Sequence, residues 1–345
     1  MSVPVSILIC TRDHLGPLRE TMQTVAGLAV PPDLDPELVV VDNGSTDGTA
    51  AWARTVRLPN IPVRVVEAPR PGQARARNAG LAAARGEIIL FTDDDVDLPA
   101  NWLAAMCAPI LAGAADAVRG TSVLHPALVR PWMQVFHRAV LAVTEGMDED
   151  RRADMVGLSM GFHRRVLARV PGFDPDLGPG TYYGFFDDTL FSYQVQAAGF
   201  RVATVREAPV VHRPDASRLG RAAYLHAARC RGRGLTYIAY HWRHEPEARW
   251  TRRTRPWQVW RHPWAVLAIR RLRLGLWRLT HPRAVRRREG IDLAEFLLVN
   301  QYEQAREYVR LRRRPRAYAR EGLVKQAGEV PDGQAPAPRP AEVSP

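Results

Sequence analysis

The chain has 345 residues, 46% apolar and 24% charged, enough for one large α/β domain with an appendage and too apolar to be disordered throughout. Its net charge of +12 is unevenly spread: residues 1–215 hold 20 arginines against 25 acids, and residues 216–345 hold 28 basic residues against 11 acids. Three scattered cysteines, Cys10, Cys107 and Cys230, argue against a disulfide framework or structural zinc, and no apolar run reaches the ~18–20 residues of a membrane span.

The first hundred residues alternate strand and helix signals. Val5–Cys10 is a β-branched run, Leu15–Leu28 has helical spacing, and Leu38–Val41 is a strand ending in the turn cluster Asp42-Asn43-Gly44-Ser45. Thr49–Val56 reads as helix, Val63–Glu67 as strand, Gly72–Ala84 as an Ala/Arg-rich helix, and Ile88–Phe91 as a strand stopped by three aspartates. Short strands alternating with helices predict an α/β fold with a mostly parallel sheet flanked by helices. In such sheets ligands bind beyond the carboxyl ends of the strands, where Thr11-Arg12-Asp13, Asp42-Asn43 and Asp93-Asp94-Asp95 fall.

Residues 100–215 are less regular, with a helix near Trp102–Leu111, a strand around Ala117–Val123, a Gly/aromatic stretch over Gly172–Asp188, a helix over Thr189–Ala198 and a strand at Arg201–Val205. Beyond Asp215 the pattern turns helical and basic, and the Pro/Gly/Ala/Glu tail from Ala327 reads as disordered. The expected division is a catalytic domain over 1–215, with a nucleotide-sugar part (1–100) and an acceptor part (101–215), a basic helical extension over 216–326, and a tail over 327–345.

Four groups of residues carry chemistry. Ile88-Ile89-Leu90-Phe91-Thr92 delivers Asp93, Asp94 and Asp95 to a strand end, where three like charges need a cation or donors to offset their repulsion. Oxygen ligands of this kind suit Mn²⁺ or Mg²⁺ bridging to a diphosphate, and the plainer alternative is a solvated acidic loop or helix cap. Asp42 could accept hydrogen bonds from a nucleotide, although Asp42-Asn43-Gly44-Ser45-Thr46-Asp47 alone is ordinary turn chemistry. In Gly184-Phe185-Phe186-Asp187-Asp188, one carboxylate could act as general base, or both could simply face a helix dipole. His212, closing Ala208-Pro209-Val210-Val211, is either a structural hydrogen-bonder or a metal ligand.

Taken in order, these motifs, with Ala76-Arg77-Asn78-Ala79-Gly80, Met160-Gly161-Phe162-His163-Arg164 and Gly172-Phe173-Asp174 between them, resemble the family-2 glycosyltransferases of GT-A fold over about residues 3–213. The resemblance implies an inverting transfer of a sugar from a nucleotide-diphosphate donor to an acceptor hydroxyl. It implies that Thr11, Asp42 and Arg77 hold the nucleotide, with Asp93 near the ribose and Asp94 as an added carboxylate. Asp95, Asp93 and His212 would hold Mn²⁺ or Mg²⁺, the direct ligand being open between Asp94 and Asp95, and Asp188 would be the catalytic base. Asp187 stands where the family usually has Glu, and Cys10-Thr11-Arg12-Asp13 replaces a common Tyr-Asn, so base recognition is expected to differ. The processive relatives carry Gln-x-x-Arg-Trp; Pro246-Glu247-Ala248-Arg249-Trp250 lacks the Gln, which favours a single addition in cell-envelope, polysaccharide or glycolipid synthesis.

In the basic third, Trp257-Gln258-Val259-Trp260-Arg261-His262-Pro263-Trp264 precedes Ile269, Leu272, Leu276 and Leu279 at helical spacing, with arginines on other faces. That pattern suits an anionic membrane surface and a glycan or lipid-linked acceptor; packing on the catalytic domain is the alternative, and nucleic acid is disfavoured for want of a binding module. The amino-terminal run lacks the charged region of a signal peptide, so a cytoplasmic location is expected, peripheral on the inner face of the plasma membrane. Two competing readings are a non-catalytic binder of the same fold and a sugar nucleotidyltransferase, the latter disfavoured because the first loop, Thr11–Gly16, has one glycine and no lysine.

Overall fold

Alternation of apolar residues along three strands builds the molecule. In a computed structural model that describes residues 2–146, 154–245 and 263–326, β1 (Val3–Thr11), β2 (Leu34–Asp42) and β4 (Ile88–Thr92) send successive side chains to opposite faces. Val5, Ile7, Ile9, Leu38, Val40, Ile88 and Leu90 enter one core, and Leu8, Val39, Val41, Ile89 and Phe91 enter the other. A sheet apolar on both faces must be covered on both. The helices α1 (Leu15–Ala26) and α4 (Trp102–Leu111) cover the first face, and α3 (Gln73–Ala83) and α6 (Asp187–Ala197) the second. The expected tail at 327–345, the Pro246–Trp250 stretch and residues 257–262 of the Trp/Arg-rich run lie outside the described residues.

With β3 (Val63–Glu67), β5 (Val96–Asp97), β6 (Ala117–Leu124), β7 (Ser159–His163) and β8 (Val202–His212), the sheet runs β3-β2-β1-β4-β7-β6-β8-β5. Pairings among β3, β2, β1 and β4 are parallel, as is β6 with β8, whereas β7 runs antiparallel to β4 and β6, and β5 to β8. The sheet is therefore mixed, with parallel pairs in the majority. Thr11 pairs with Asp42, and Ile9 with Thr92, so the polar residues after β1, β2 and β4 open at one edge of the sheet.

Several boundaries differ from expectation. The segments expected as a strand at Arg201–Val205 and a strand-like run at Ala208–Val211 are one strand, β8; its register with β6 shifts between Gly120 and Ser122, the irregularity that accommodates Pro209, which cannot donate to a ladder. Helix α6 starts at Asp187 rather than Thr189, because Phe186 takes a left-handed turn (φ 78°) directly before it. Helix α2 (Thr49–Ala53) is shorter than the expected Thr49–Val56, and α5 (Val135–Val140) and β7 carry no clear periodic signal.

After β8 come α7 (Arg221–Tyr237), continued by a wide helical turn over Ile238–Trp242, then α8 (Pro263–Thr280), α9 (Pro282–Val285) and α10 (Leu293–Leu311). Gly232 allows α10 to approach α7: a Cβ there would lie 2.5 Å from the Asn300 carbonyl oxygen. Buried Glu295 accepts both guanidinium nitrogens of Arg221, and Asp174 gathers Tyr237 and Tyr318 (2.7 Å each) and Lys325 (2.7 Å). Leu177, Tyr183, Phe186 and Leu190 share one cluster with Tyr237, Trp242 and Tyr318, so the carboxyl-terminal residues pack behind the stretch that leads into α6. Among the described residues no helix is long and apolar enough to cross a membrane.

Candidate active site

The loops beyond β1 and β2 are stitched together. Asp13 accepts the Thr46 amide (2.6 Å), Asp47 accepts the Leu15 amide (3.1 Å) at the start of α1, and Asn43 holds the 68–72 loop through the Ala68 and Arg70 carbonyls and the Gly72 amide. Most of the Asn43–Asp47 cluster is thus turn chemistry. Asp42 is different: it is buried, accepts only the Ser45 amide (3.2 Å) on one oxygen, and its Oδ1 has no partner among the described residues. A buried carboxylate oxygen without a partner is costly unless a ligand serves it.

Two adjoining cavities, of about 260 and 240 Å³, share Cys10, His14, Gln73, Asp94 and Pro179. The smaller is lined by Thr11 and Asn43, and the larger by Arg77, Asp93, Asp95, Asp188 and His212. Every expected site residue except Asp42 therefore lines one or both. Phe185, Phe186 and Arg218, together with Val140 from α5, also line the larger cavity.

The three aspartates fan out to different partners. Asp93 faces Gln73 (3.3 Å) and Arg77 (3.7 Å), Asp94 faces His14 (2.9 Å), and Asp95 faces His212 (3.3 Å). Burial pushes Asp93 up to about 6; Arg77 opposes this, while Asp95 and Asp94 add to it. Burial also raises Asp94, against the hydrogen bond from His14, which is itself raised by Asp94. Burial would raise Asp95 too, but His212, Arg218 and His14 more than offset it and hold this carboxyl below the ordinary range. Burial pushes Cys10 up to about 12, so its thiol is no nucleophile at neutral pH.

His212 gives the donor set its character. Its Nδ1 lies 2.7 Å from the Leu141 carbonyl, which only accepts, so Nδ1 carries the proton. The carbonyl is presented just before Ala142, a left-handed residue (φ 58°). In the neutral ring, Nε2 then turns a lone pair toward Asp95 Oδ2, and two acceptors facing one another require a cation or a proton between them. A ring anchored by Nδ1–H to a carbonyl is the usual setting of a metal-binding imidazole. Among the described residues no three His, Cys, Asp or Glu side chains form a cage of their own. Mn²⁺ and Mg²⁺ commonly take one or two protein ligands and complete their shell with substrate phosphates and water. Asp95 and His212 fit such a half-site.

Asp187 and Asp188 begin α6 with different surroundings. Asp187 is buried and accepts Arg77 Nη1 at 2.7 Å, while the Arg77 guanidinium, 3% exposed, also lies over the rings of Phe91 and Phe173. Arg77 is therefore taken up by carboxylates and aromatic rings of the protein. Asp188 is half-buried, accepts the Gly157 amide (3.0 Å) and the Thr189 amide (2.7 Å), and faces the cavity. Left-handed Phe186 stands directly before the two carboxylates at the start of α6; such a conformation in an aromatic residue costs about 1–3 kcal/mol and persists where the surroundings impose it.

Sequence reasoning missed the residues that make room for this arrangement. A Cβ on Gly157 would fall 1.9 Å from Arg77 Nη2, and one on Gly178 (φ 87°) would fall 2.6 Å from the Asp187 carboxyl carbon. It also missed His14 and Gln73, whose places became legible only once Asp94 and Asp93 were set against them.

Comparison with known proteins bears on the family and the fold. The family model described as glycosyl transferase family 2 matches residues 6–170. The succinoglycan biosynthesis protein ExoM of Rhizobium meliloti is 28% identical over 232 residues, 66% of this chain and 72% of that protein. A glucosyl-3-phosphoglycerate synthase of Mycolicibacterium paratuberculosis is 33% identical over 122 residues, 32% of this chain and 34% of that protein. Three curated relatives are spanned over only 12, 34 and 38% of their own length. Among solved structures, the mannosyltransferase PcManGT from Pyrobaculum calidifontis, in complex with GDP-Man and Mn²⁺, superposes with a TM-score of 0.56 at 20% identity, covering 90% of this chain and 88% of that one. It shares the fold.

Proposed function

We propose, from the match of residues 6–170 to glycosyl transferase family 2, that the chain is an inverting, metal-dependent glycosyltransferase. It moves one sugar from a nucleotide-diphosphate donor to a hydroxyl of a glycan or lipid-linked acceptor, in cell-envelope, polysaccharide or glycolipid synthesis at an anionic membrane surface. The observation that carries this reading is that Asp95 with His212 and Asp188 open on one cavity beyond the carboxyl ends of β1 and β4.

The nucleoside lies in the smaller cavity, against Thr11 and Asn43; Asp42, next to Asn43 but not itself on the cavity wall, takes a donor from base or ribose on its unpaired oxygen once the loop opens to the ligand. The sugar lies in the larger one. Asp188, oriented by the Gly157 and Thr189 amides, accepts the proton of the acceptor hydroxyl as its oxygen attacks the anomeric carbon. That bond forms as the bond to the diphosphate oxygen breaks on the opposite face, so a single displacement inverts the centre. Arg77 holds Asp187 and Asp93 in place from beneath. Asp95 and His212, with Asp93 beside them, would hold Mn²⁺ or Mg²⁺, which supplies charge neutralisation of the departing diphosphate.

The test is a set of thermal shifts with UDP, GDP, dTDP, CDP and ADP, with and without Mn²⁺, on wild type, Asp95→Ala and Asp188→Asn. A nucleotide at a hundred times its dissociation constant stabilises by about 2.7 kcal/mol. The expected result is one nucleotide that stabilises only with metal, an Asp95→Ala variant that loses the effect, and an Asp188→Asn variant that keeps it while turnover falls about 10²–10⁴-fold. Stabilisation that ignores metal and survives Asp95→Ala would remove the metal assignment. Full turnover in Asp188→Asn would remove the base.

A further inference from the structure

Helix α8 presents its apolar face to solvent. At about 100° per residue, Ile269, Leu272, Leu276 and Leu279 fall within an arc of roughly 80°, and they are 45, 72, 59 and 80% exposed. The opposite face is the one that packs: Val266 is buried, Leu274 lies against the cluster that includes Val140, Phe296 and Val299, Arg270 bonds the Gln301 carbonyl, and Arg278 pairs with Glu295 at 3.1 Å. The two tethered arginines and the packed face fix the rotation of the helix, and the leucine stripe points outward as a result.

Arginines rim that stripe on both sides. Arg271 and Arg273 are exposed and flank it, and Arg283, Arg286, Arg287 and Arg288 follow, also exposed. Residues 263–288 contain eight arginines and no acidic residue. Trp264, 61% exposed, stands at the start of the helix. An apolar stripe edged by arginines with no acid among them does not suit a protein partner held by mixed charges; it suits a surface that is anionic in its outer layer and apolar just beneath.

We propose that α8 lies in the headgroup region of an anionic lipid bilayer, its leucine stripe inserted and its arginines on the phosphates, holding the chain peripherally on the membrane. Val140 belongs to the cluster under α8 and also lines the larger cavity, as does the partly buried Phe185 packed against that cluster. The same residues thus connect the packing beneath α8 with the lining of the larger cavity. The docking itself stands on α8 alone and does not depend on sugar transfer.

The experiment is flotation of the full chain with vesicles of phosphatidylcholine alone or with about a third phosphatidylglycerol. Wild type is compared with Leu272→Glu/Leu276→Glu and with Arg271→Gln/Arg273→Gln, all changes at exposed positions whose folding is checked by melting. Wild type should float with anionic vesicles at low salt, fail with phosphatidylcholine alone, and release at about 0.5 M salt. The leucine variant should stay at the bottom, and the arginine variant should bind about thirtyfold more weakly. Failure of wild type to float overturns the proposal, as does flotation that the leucine variant retains. A wild-type dimer that does not float and that the leucine variant converts to monomer assigns the face to a second copy instead. Binding to duplex DNA that the arginine variant loses and the leucine variant keeps, with no flotation, assigns it to nucleic acid.

Discussion

Arg77 Nη1 and Asp187 Oδ2 lie 2.7 Å apart, both side chains 3% exposed, at residues separated by 110 positions in the chain. The pair joins α3 to the start of α6, and so joins the half of the site that carries Asp93 to the half that carries Asp188. Removing one partner of a buried ion pair leaves an uncompensated charge and costs about 3–5 kcal/mol. Arg77→Met should lose that much in denaturant unfolding, and the double variant Arg77→Met/Asp187→Leu should recover part of it. A loss under 1 kcal/mol for the single variant would mean that the pair is solvated in solution.

Gly157 is the closest fit in the site. A methyl group there must displace the Arg77 guanidinium, and the Gly157 amide is also the donor that orients Asp188. Gly157→Ala should cost about 1–3 kcal/mol in stability by overpacking. Its turnover should fall more than its donor affinity, because the nucleotide loops are untouched. Steady-state kinetics would read the difference as a drop in kcat with little change in donor KM.

His241 makes stability depend on pH. Its Nδ1 accepts the Ala317 amide at 3.0 Å, so a proton on that nitrogen breaks the bond. Burial, with Lys325 and Arg316 adding to it, depresses the ring to about 4 from an ordinary 6.5. The folded state then binds fewer protons than the unfolded state between these values. Its contribution is complete above pH 6.5 and is lost as pH falls toward 4, amounting to on the order of 3 kcal/mol. Unfolding free energies from pH 7 to 4 should fall more steeply for wild type than for His241→Asn. Parallel curves would show that the ring titrates normally.

The Asp174 carboxylate, with its side chain fully buried, depends on residues that arrive late in the chain. Lys325 donates to it and also to Asp176 (2.6 Å), beside the hydroxyls of Tyr237 and Tyr318. Lys325→Met should destabilise by about 3 kcal/mol, the low end for a buried pair because the amine is partly exposed. A double-mutant cycle with Asp174→Asn should return a coupling of about 0.5–3 kcal/mol. Purely additive losses would mean that the amine and the carboxylate do not meet.

Which of these features can be read from sequence depends on whether the signal is local. Asp93, Asp94 and Asp95 were legible because an apolar strand runs straight into three acids, and His212 because a β-branched run ends on it. β7 was not, since Ser159-Met160-Gly161-Phe162-His163 neither alternates nor concentrates β-branched residues; it is a strand because β4 and β6 flank it. The start of α6 was misplaced because a left-handed phenylalanine is imposed by its packing and no propensity foretells it. Gly157 and Gly178 look like any loop glycines until Arg77 and Asp187 are folded against them. The exposed stripe on α8 was visible as periodicity, but its outward direction follows from Arg270 and Arg278 reaching α10.

Lys325 is the only lysine among the 345 residues. The chain thus carries one side-chain amine, and that amine sits in the joint between the carboxyl-terminal segment and the loop leading to Asp188. Held protonated by Asp174 and Asp176, it is a poor target for acylating reagents while the joint is closed. With the α-amine blocked, the protein has in effect a built-in chemical reporter: the rate at which an amine-reactive label reaches Lys325 measures how often the packing behind the loop that leads to Asp188 comes away.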